Sequence, residues 1–254
     1  METTNKIALV TGSSRGLGKN TALKLAKNGN DLVITYRSKK DEADALVAEI
    51  EKLGQKAVAL QLDTGLTKTF AGFVEQLSAV LKEKWGRDTF DFLVNNAGID
   101  AASPFEKTTE EDFDNLMNVH FKGVYFLTQK CLPLIAEGGR IINLSSGLAR
   151  FSTPGYAAYA SMKGAIEVFT RYLAKELGPR KIAANVVAPG IIETDFTKNA
   201  FESHPGLDKY MASITALGRV GQPDDIGGVI AFLCSDDARW INAQRIEASG
   251  GMFL

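Results

Sequence analysis

At 254 residues, 45% of them hydrophobic, the chain is long enough to bury a full core and fits one α/β domain. Twenty-nine basic residues stand against thirty acidic ones with no block of like charge, which gives no electrostatic footprint for nucleic acid or a membrane surface and leaves a small molecule as the expected partner. Cys131 and Cys234 are too few for a disulfide framework, and His120 and His204 have no ligand cluster around them, so a reducing compartment and no metal are expected.

Five polar-leaning residues lead straight into Ile7-Ala8-Leu9-Val10, leaving no room for a signal peptide, and no apolar run approaches membrane-spanning length; a cytoplasmic location is expected. From there short β-rich runs alternate with segments of helical length, the pattern of a parallel sheet covered on both faces. Seven strands are predicted, at 6–10, 31–36, 57–62, 91–95, 140–144, 182–187 and 244–248. Helices are predicted to begin near Gly16, Asp41, Thr67, Thr109, Tyr156 and Pro223. With right-handed crossovers, and growth in both directions from the first strand, this is a doubly wound α/β fold of order 3-2-1-4-5-6-7.

Ligands of such sheets bind at the carboxyl ends of the strands. After the first strand comes Thr11-Gly12-Ser13-Ser14-Arg15-Gly16-Leu17-Gly18, whose G-x-x-x-G-x-G spacing allows a tight turn and aims a helix N-terminus at a phosphate. The second strand ends Thr35-Tyr36-Arg37-Ser38, where a carboxylate would bind the 2′-hydroxyl of NAD and an arginine suits the 2′-phosphate of NADP. Arg37, together with Arg15, favours NADP(H) over NAD(H). Asp31 opens that strand instead of closing it and is discounted. The next ends carry Asp63-Thr64, Asn95-Asn96-Ala97-Gly98, Ser145-Ser146-Gly147 and Pro189-Gly190, all small or hydrogen-bonding residues on the edge where a dinucleotide would lie.

Tyr159 and Lys163 lie four apart on a predicted helix and so share a face. A phenol titrates near pH 10, and a lysine at roughly 4 Å would favour its anion by about 4 kcal/mol as an upper bound, bringing it towards working pH as a proton shuttle.

These residues together resemble the short-chain dehydrogenase/reductase family, in its single-domain branch of about this length, over nearly the whole chain. The resemblance rests on Thr11 to Gly18, Asp63, Asn95 to Gly98, Asn118, Ser146, Tyr159, Lys163, Pro189-Gly190 and Ser249-Gly250-Gly251, with Ser146 thirteen residues before Tyr159 as the family pattern expects. It implies a Rossmann-like fold and hydride transfer between the nicotinamide and a carbonyl or secondary alcohol, with Tyr159 as acid or base. It further implies that Ser146 holds the carbonyl oxygen, that Lys163 tunes the phenol and binds the nicotinamide ribose, and that Asn118 joins a water-linked relay. The cofactor would be held by Gly12, Ser14, Arg15, Gly16, Leu17, Gly18, Arg37, Ser38, Asp63, Thr64, Asn95, Ala97, Gly98, Pro189, Gly190, Ile192 and Thr194, besides Tyr159 and Lys163.

The sequence departs from the family at Ala243, where glycine is frequent, and at Glu247-Ala248-Ser249, where Val-Asp usually precedes the last two glycines; 84–91 also runs slightly long, suggesting a surface loop. Residues 191–217 are the least regular stretch and would form a substrate lid, with Phe196, Phe201, Tyr210 and Met211 as an apolar wall. A 3-oxoacyl thioester reductase is the leading expectation, a sugar or polyol dehydrogenase the alternative, and a cofactor-binding regulator without chemistry the alternative of another class. The resemblance also implies a homodimer or homotetramer, through the helices beginning near Thr109 and Tyr156.

Overall fold

Ile7-Ala8-Leu9-Val10 exposes no side chain on either face, and a strand buried on both faces needs helices above and below it. The computed structural model, which describes residues 5–100 and 102–254, shows that arrangement. Strand β1 (Ile7–Val10) leads into α1 (Gly16–Lys27), β2 (Asp31–Tyr36), α2 (Lys40–Lys52), β3 (Ala57–Gln61), α3 (Phe70–Trp85) and β4 (Phe90–Asn95). The second half runs α4 (Glu110–Met117), α5 (Gly123–Cys131), β5 (Ile135–Leu144), α6 (Ala157–Glu176), β6 (Ala183–Pro189), α7 (Asp195–Ser203), α8 (Leu207–Ser213), α9 (Pro223–Leu233) and β7 (Arg245–Ala248). All seven strands pair in parallel in the order β3-β2-β1-β4-β5-β6-β7, the Rossmann-like sheet expected. Two apolar clusters fill the spaces between its faces and the helices, one built on Leu25, Ile34 and Ile230 and the other on Phe70, Leu77 and Phe90.

The departures from expectation have local causes. β5 begins at Ile135 and not near 140: Ile135 pairs with Phe90, the register shifts, and pairing resumes at Arg140. The Glu137-Gly138-Gly139 stretch reads as a turn, but Gly138 takes a left-handed φ of 76° inside the strand and lets it pass the irregularity. The helix expected from near Thr109 is capped by that residue, whose Oγ1 accepts from the Asp112 amide (3.1 Å), and is then split by a π-turn over Asn118–Lys122. Gly123 follows because a Cβ there would lie 2.0 Å from the Thr64 carbonyl oxygen. The stretch 191–217, expected to be irregular, contains α7 and α8, too short and polar to announce themselves. α3 extends to Trp85, so the surface loop there is confined to 86–89.

Ala243 holds φ at 60°, the left-handed conformation that glycine adopts freely and alanine only at a cost of about 1–2 kcal/mol. Asp31 lies at the amino end of β2, where its carboxylate accepts from the Lys56 amide (2.7 Å) and Trp85 Nε1 (2.8 Å); it serves the fold. Among the described residues no helix is long and apolar enough to cross a membrane. The reading of the N-terminus rests in part on residues 1–4, which lie outside the described residues.

Candidate active site

The turn after β1 is fastened to the end of β4. Thr11 Oγ1 accepts from the amides of Asn96 (2.9 Å) and Ala97 (3.0 Å), and Asn96 Nδ2 donates back to the carbonyls of Thr11 (2.9 Å) and Gly12 (3.2 Å). Gly12 sits at φ 61°, and a Cβ on it would stand 2.8 Å from Ala97 Cα. Gly18 is as tight, with Asn96 Nδ2 only 2.5 Å from where its Cβ would be. The first turn of α1 has neither a side-chain cap nor an acidic residue, so its amides and dipole are available to an anion. A dinucleotide pyrophosphate fits this cradle, which side chains would otherwise fill.

At the end of β2, Arg37 and Ser38 are exposed with no acid between them, and the Arg37 carbonyl accepts from Gln61 Nε2 (2.9 Å). Arg15 stands on the other side of the turn, 3.8 Å from Asp195 at the start of α7. Beyond β3, Asp63 Oδ1 accepts from the Gly65 amide (2.9 Å), while Thr64 is buried.

Asn95, expected beside the cofactor, stands at the end of β4. Its side chain points into the body of the protein, where Nδ2 donates to Thr128 Oγ1 (3.0 Å) and Asn143 Oδ1 (2.8 Å), so it ties β4 to β5 and α5 and is not aimed at the cleft. Its neighbour Asn96, quoted in the motif but left out of the predicted set, takes the cleft position instead. Asn118 opens the π-turn, and its carbonyl accepts from the Gly123 amide.

Most of the remaining predicted residues line one cavity of about 320 Å³ at the carboxyl edge of the sheet. Gly12, Arg15, Gly16, Leu17, Gly18 and Gly98 form one side; Pro189, Gly190, Ile192 and Thr194 form another; Ser146, Tyr159 and Lys163 stand between. Ser14, Arg37, Ser38, Asp63, Thr64, Ala97 and Asn118 lie outside its walls, the first four at or beyond the strand ends.

Tyr159 and Lys163 share the inner face of α6, as their spacing requires. Lys163 is 5% exposed; its Nζ donates to the Leu144 carbonyl (2.8 Å) and lies 5.4 Å from the centre of the Tyr159 ring. Burial pushes that ammonium down to about 7. Burial also raises the Tyr159 phenol above its ordinary range, with Asp100 and Tyr156 adding to the rise, while a hydrogen bond with Ser146 pulls it back. Burial dominates, so the phenol stays above its ordinary range and is not brought towards neutrality.

Sequence reasoning also missed His120. It is 2% exposed, packs edge-on against the Tyr159 ring (5.0 Å between centres) and meets the Ile99 backbone through Nε2 (2.8 Å to the carbonyl). Burial first, and then the Lys163 charge, lower its pKa to about 3, so the ring is neutral. Asn118, two residues earlier and part of the resemblance, was the available signal.

A phosphate cradle facing a buried Tyr–Lys pair is the equipment of an oxidoreductase that works on C=O and CH–OH groups. A family model described as enoyl-(acyl carrier protein) reductase matches residues 12–253. The chain belongs to the short-chain dehydrogenase/reductase family. It is 40% identical over 258 residues to the hydroxynaphthalene reductase-like protein Arp2 of Metarhizium brunneum, covering 97% of this chain and 94% of that one. Among solved structures it is similar to LugOII, a promiscuous reductase that catalyses keto-reduction at C1 during lugdunomycin biosynthesis (TM-score 0.93, 39% identity, all of both chains). It is also similar to LanV, an angucycline C-6 ketoreductase solved with bound NADP (TM-score 0.92, 39% identity, 98% of this chain and 95% of that one).

Proposed function

We propose that the protein is an NADPH-dependent ketoreductase acting on a flat, fused-ring ketone. The observation that carries this reading is the apolar, partly aromatic lining that shares the cavity with Ser146 and Tyr159: Leu148, Phe151, Tyr156, Phe196, Met211 and Met252. The relatives support it, since a hydroxynaphthalene reductase-like protein, the keto-reducing LugOII and the angucycline C-6 ketoreductase LanV each share about two-fifths of the sequence. LanV, solved with NADP, supports the cofactor.

In this reading the bound nicotinamide supplies a hydride to the carbonyl carbon. The phenol of Tyr159 holds its proton at Oη across neutral pH and hands it to the carbonyl oxygen, while the Ser146 hydroxyl keeps that oxygen in line. Lys163 contacts the nicotinamide ribose, and Asn118 passes replacement protons through water. Gly12 to Gly18 take the pyrophosphate, Arg37, Ser38 and Arg15 the 2′-phosphate, Asp63, Thr64, Ala97 and Gly98 the adenosine, and Pro189 to Thr194 the carboxamide end. The stretch 191–217 is the lid of a single domain.

An acyl-carrier thioester takes second place, because Arg150, beside the cavity residue Phe151, is already held by Glu247. The test is NADPH oxidation against fused-ring phenolic ketones, 3-oxoacyl thioesters and sugar lactones. Fastest turnover is expected with the fused-ring ketones; turnover confined to thioesters or sugars would overturn the substrate reading, and NADPH binding without turnover on any carbonyl would favour a regulator.

Arg37→Ala is expected to weaken NADPH by roughly 10–100-fold and NADH by less than about twofold, since a charge-assisted hydrogen bond to phosphate contributes about 1.5–3 kcal/mol. Equilibrium titration of each cofactor at fixed salt decides it, and equal losses would remove Arg37 from the role. The exposed aromatic and apolar side chains of Tyr125 and Phe126 on α5 and Val168 and Tyr172 on α6 support self-association through these helices. A dimer or tetramer is expected in sedimentation equilibrium, and a monomer at micromolar concentration would refute it.

A further inference from the structure

Four charged side chains, distant in sequence, form a continuous array behind Ser146. Arg245 of β7 donates through Nε to Glu167 (2.6 Å), through Nη1 to Glu247 (2.8 Å) and through Nη2 to the Ser146 carbonyl (3.3 Å). Glu167 lies one turn beyond Lys163 on α6 and also accepts from the Ser145 hydroxyl (2.7 Å). Glu247 receives both donors of Arg150 (2.6 and 2.7 Å) and the Ser249 hydroxyl (2.7 Å). Arg150 reaches on to the carbonyl of Met252, a residue of the cavity wall (2.8 Å), and its guanidinium lies 5.3 Å from the centre of the Phe151 ring.

The loop 145–151 is thereby held at both ends, its start by Glu167 and Arg245 and its finish by Glu247. Glu167, Arg245 and Glu247 are mostly shielded from water, while Arg150 lies at the exposed end of the array. Such arrays contribute little net stability, because desolvation offsets attraction, but they fix geometry closely. What this one fixes is the register of α6, which carries Tyr159, against the strand end that carries Ser146.

We propose that Arg245 is a positioning residue: by joining Glu167 to the Ser146 carbonyl it sets the separation of the Ser146 and Tyr159 hydroxyls, with Glu247 and Arg150 steadying the far end of the loop. The signal in the sequence was the departure at Glu247, legible as a change but not as a contact. The proposal rests on the reading of Ser146 and Tyr159 as the reacting pair, and its test therefore has a readout that needs no substrate.

The experiment compares Arg245→Met, Arg245→Lys and Glu167→Gln with the parent in kcat, in NADPH affinity, and in the ¹³Cζ resonance of Tyr159, assigned with Tyr159→Phe. Arg245→Met is expected to lower kcat by about 10–100-fold, the scale of a small misplacement of reacting groups, with NADPH affinity within about twofold. Arg245→Lys should be impaired as well, because one ammonium does not span three acceptors, and it stands in if the methionine variant fails to fold. Glu167→Gln keeps the acceptor oxygen and should stay within about threefold of the parent. The Tyr159 resonance should shift in both Arg245 variants and hold in Glu167→Gln. A folded Arg245 variant with parental kcat and an unmoved resonance would overturn the proposal and leave the ketoreductase reading intact. A parent that turns over no carbonyl would sink that reading instead, and the resonance alone would then decide the proposal.

Discussion

Tyr159→Phe is expected to lower ketone reduction by about 10²–10⁴-fold, the span of a general acid's contribution, with NADPH affinity unchanged within about twofold. The variant removes one oxygen and keeps the ring, so the edge-on packing against His120 survives. Ser146 loses its partner but still accepts from the Leu148 amide (3.2 Å). The direction of the pKa shift sharpens the expectation. A phenol raised above its ordinary range remains protonated through neutral pH, so Tyr159 itself makes parental reduction fall only on the alkaline side, as it gives up its proton, and an inflection near pH 7 belongs to Lys163. Turnover measured from NADPH absorbance, beside a fluorescence titration of NADPH binding, checks both halves. If the variant kept more than about a tenth of parental turnover, the proton donor would have to be reassigned.

Lys163→Met should separate stability from activity. Burial pushes the ammonium down to about 7 in the folded protein against 10.5 ordinarily, so between those values the unfolded chain binds the extra proton and parental stability rises with pH. At pH 7 the cost of burying this group is on the order of 4 kcal/mol. Methionine removes that cost and retains the stem, but it strips the Leu144 carbonyl of its donor, a loss of about 1–3 kcal/mol. The variant is therefore expected to be about 2 kcal/mol more stable than the parent at pH 7, the difference shrinking and then reversing as pH approaches 10.5. Turnover should fall by about 100-fold or more, because the contact proposed for the nicotinamide ribose is gone. Urea unfolding at pH 7 and pH 10 is the decisive measurement. A variant less stable at pH 7 would mean that the ammonium sits in a wetter or better paired environment than its burial indicates.

Features that depend on local spacing were legible in the sequence. The four-residue step from Tyr159 to Lys163 forces a shared helix face wherever a helix forms, and strand order follows from alternation and crossover handedness. Legibility failed where one residue's direction decides the role. Asn95 and Asn96 are chemically identical, and only the exit of the chain from β4 sends the first inward to Thr128 and Asn143 and the second back to Thr11 and Gly12. It failed again for Arg245 and Glu167, which are 78 residues apart and meet only because β7 is laid beside β6 under α6. The lid helices were hidden for a different reason: each spans only two turns or so, too short to develop a periodic apolar stripe.

The array behind Ser146 also bears on the order in which the molecule matures. Half of its charges, and the wall residue Met252 that it holds, come from the last ten residues of the chain, whereas the glycine cradle is complete once β1, β2 and β4 have formed. During synthesis, then, the emerging chain acquires a dinucleotide shelf long before it acquires a reacting centre, and the shelf waits for the final strand. A chain that stopped before β7 would keep β1, β2 and β4 but lack Arg245 and Glu247, and with them their hold on the loop that carries Ser146.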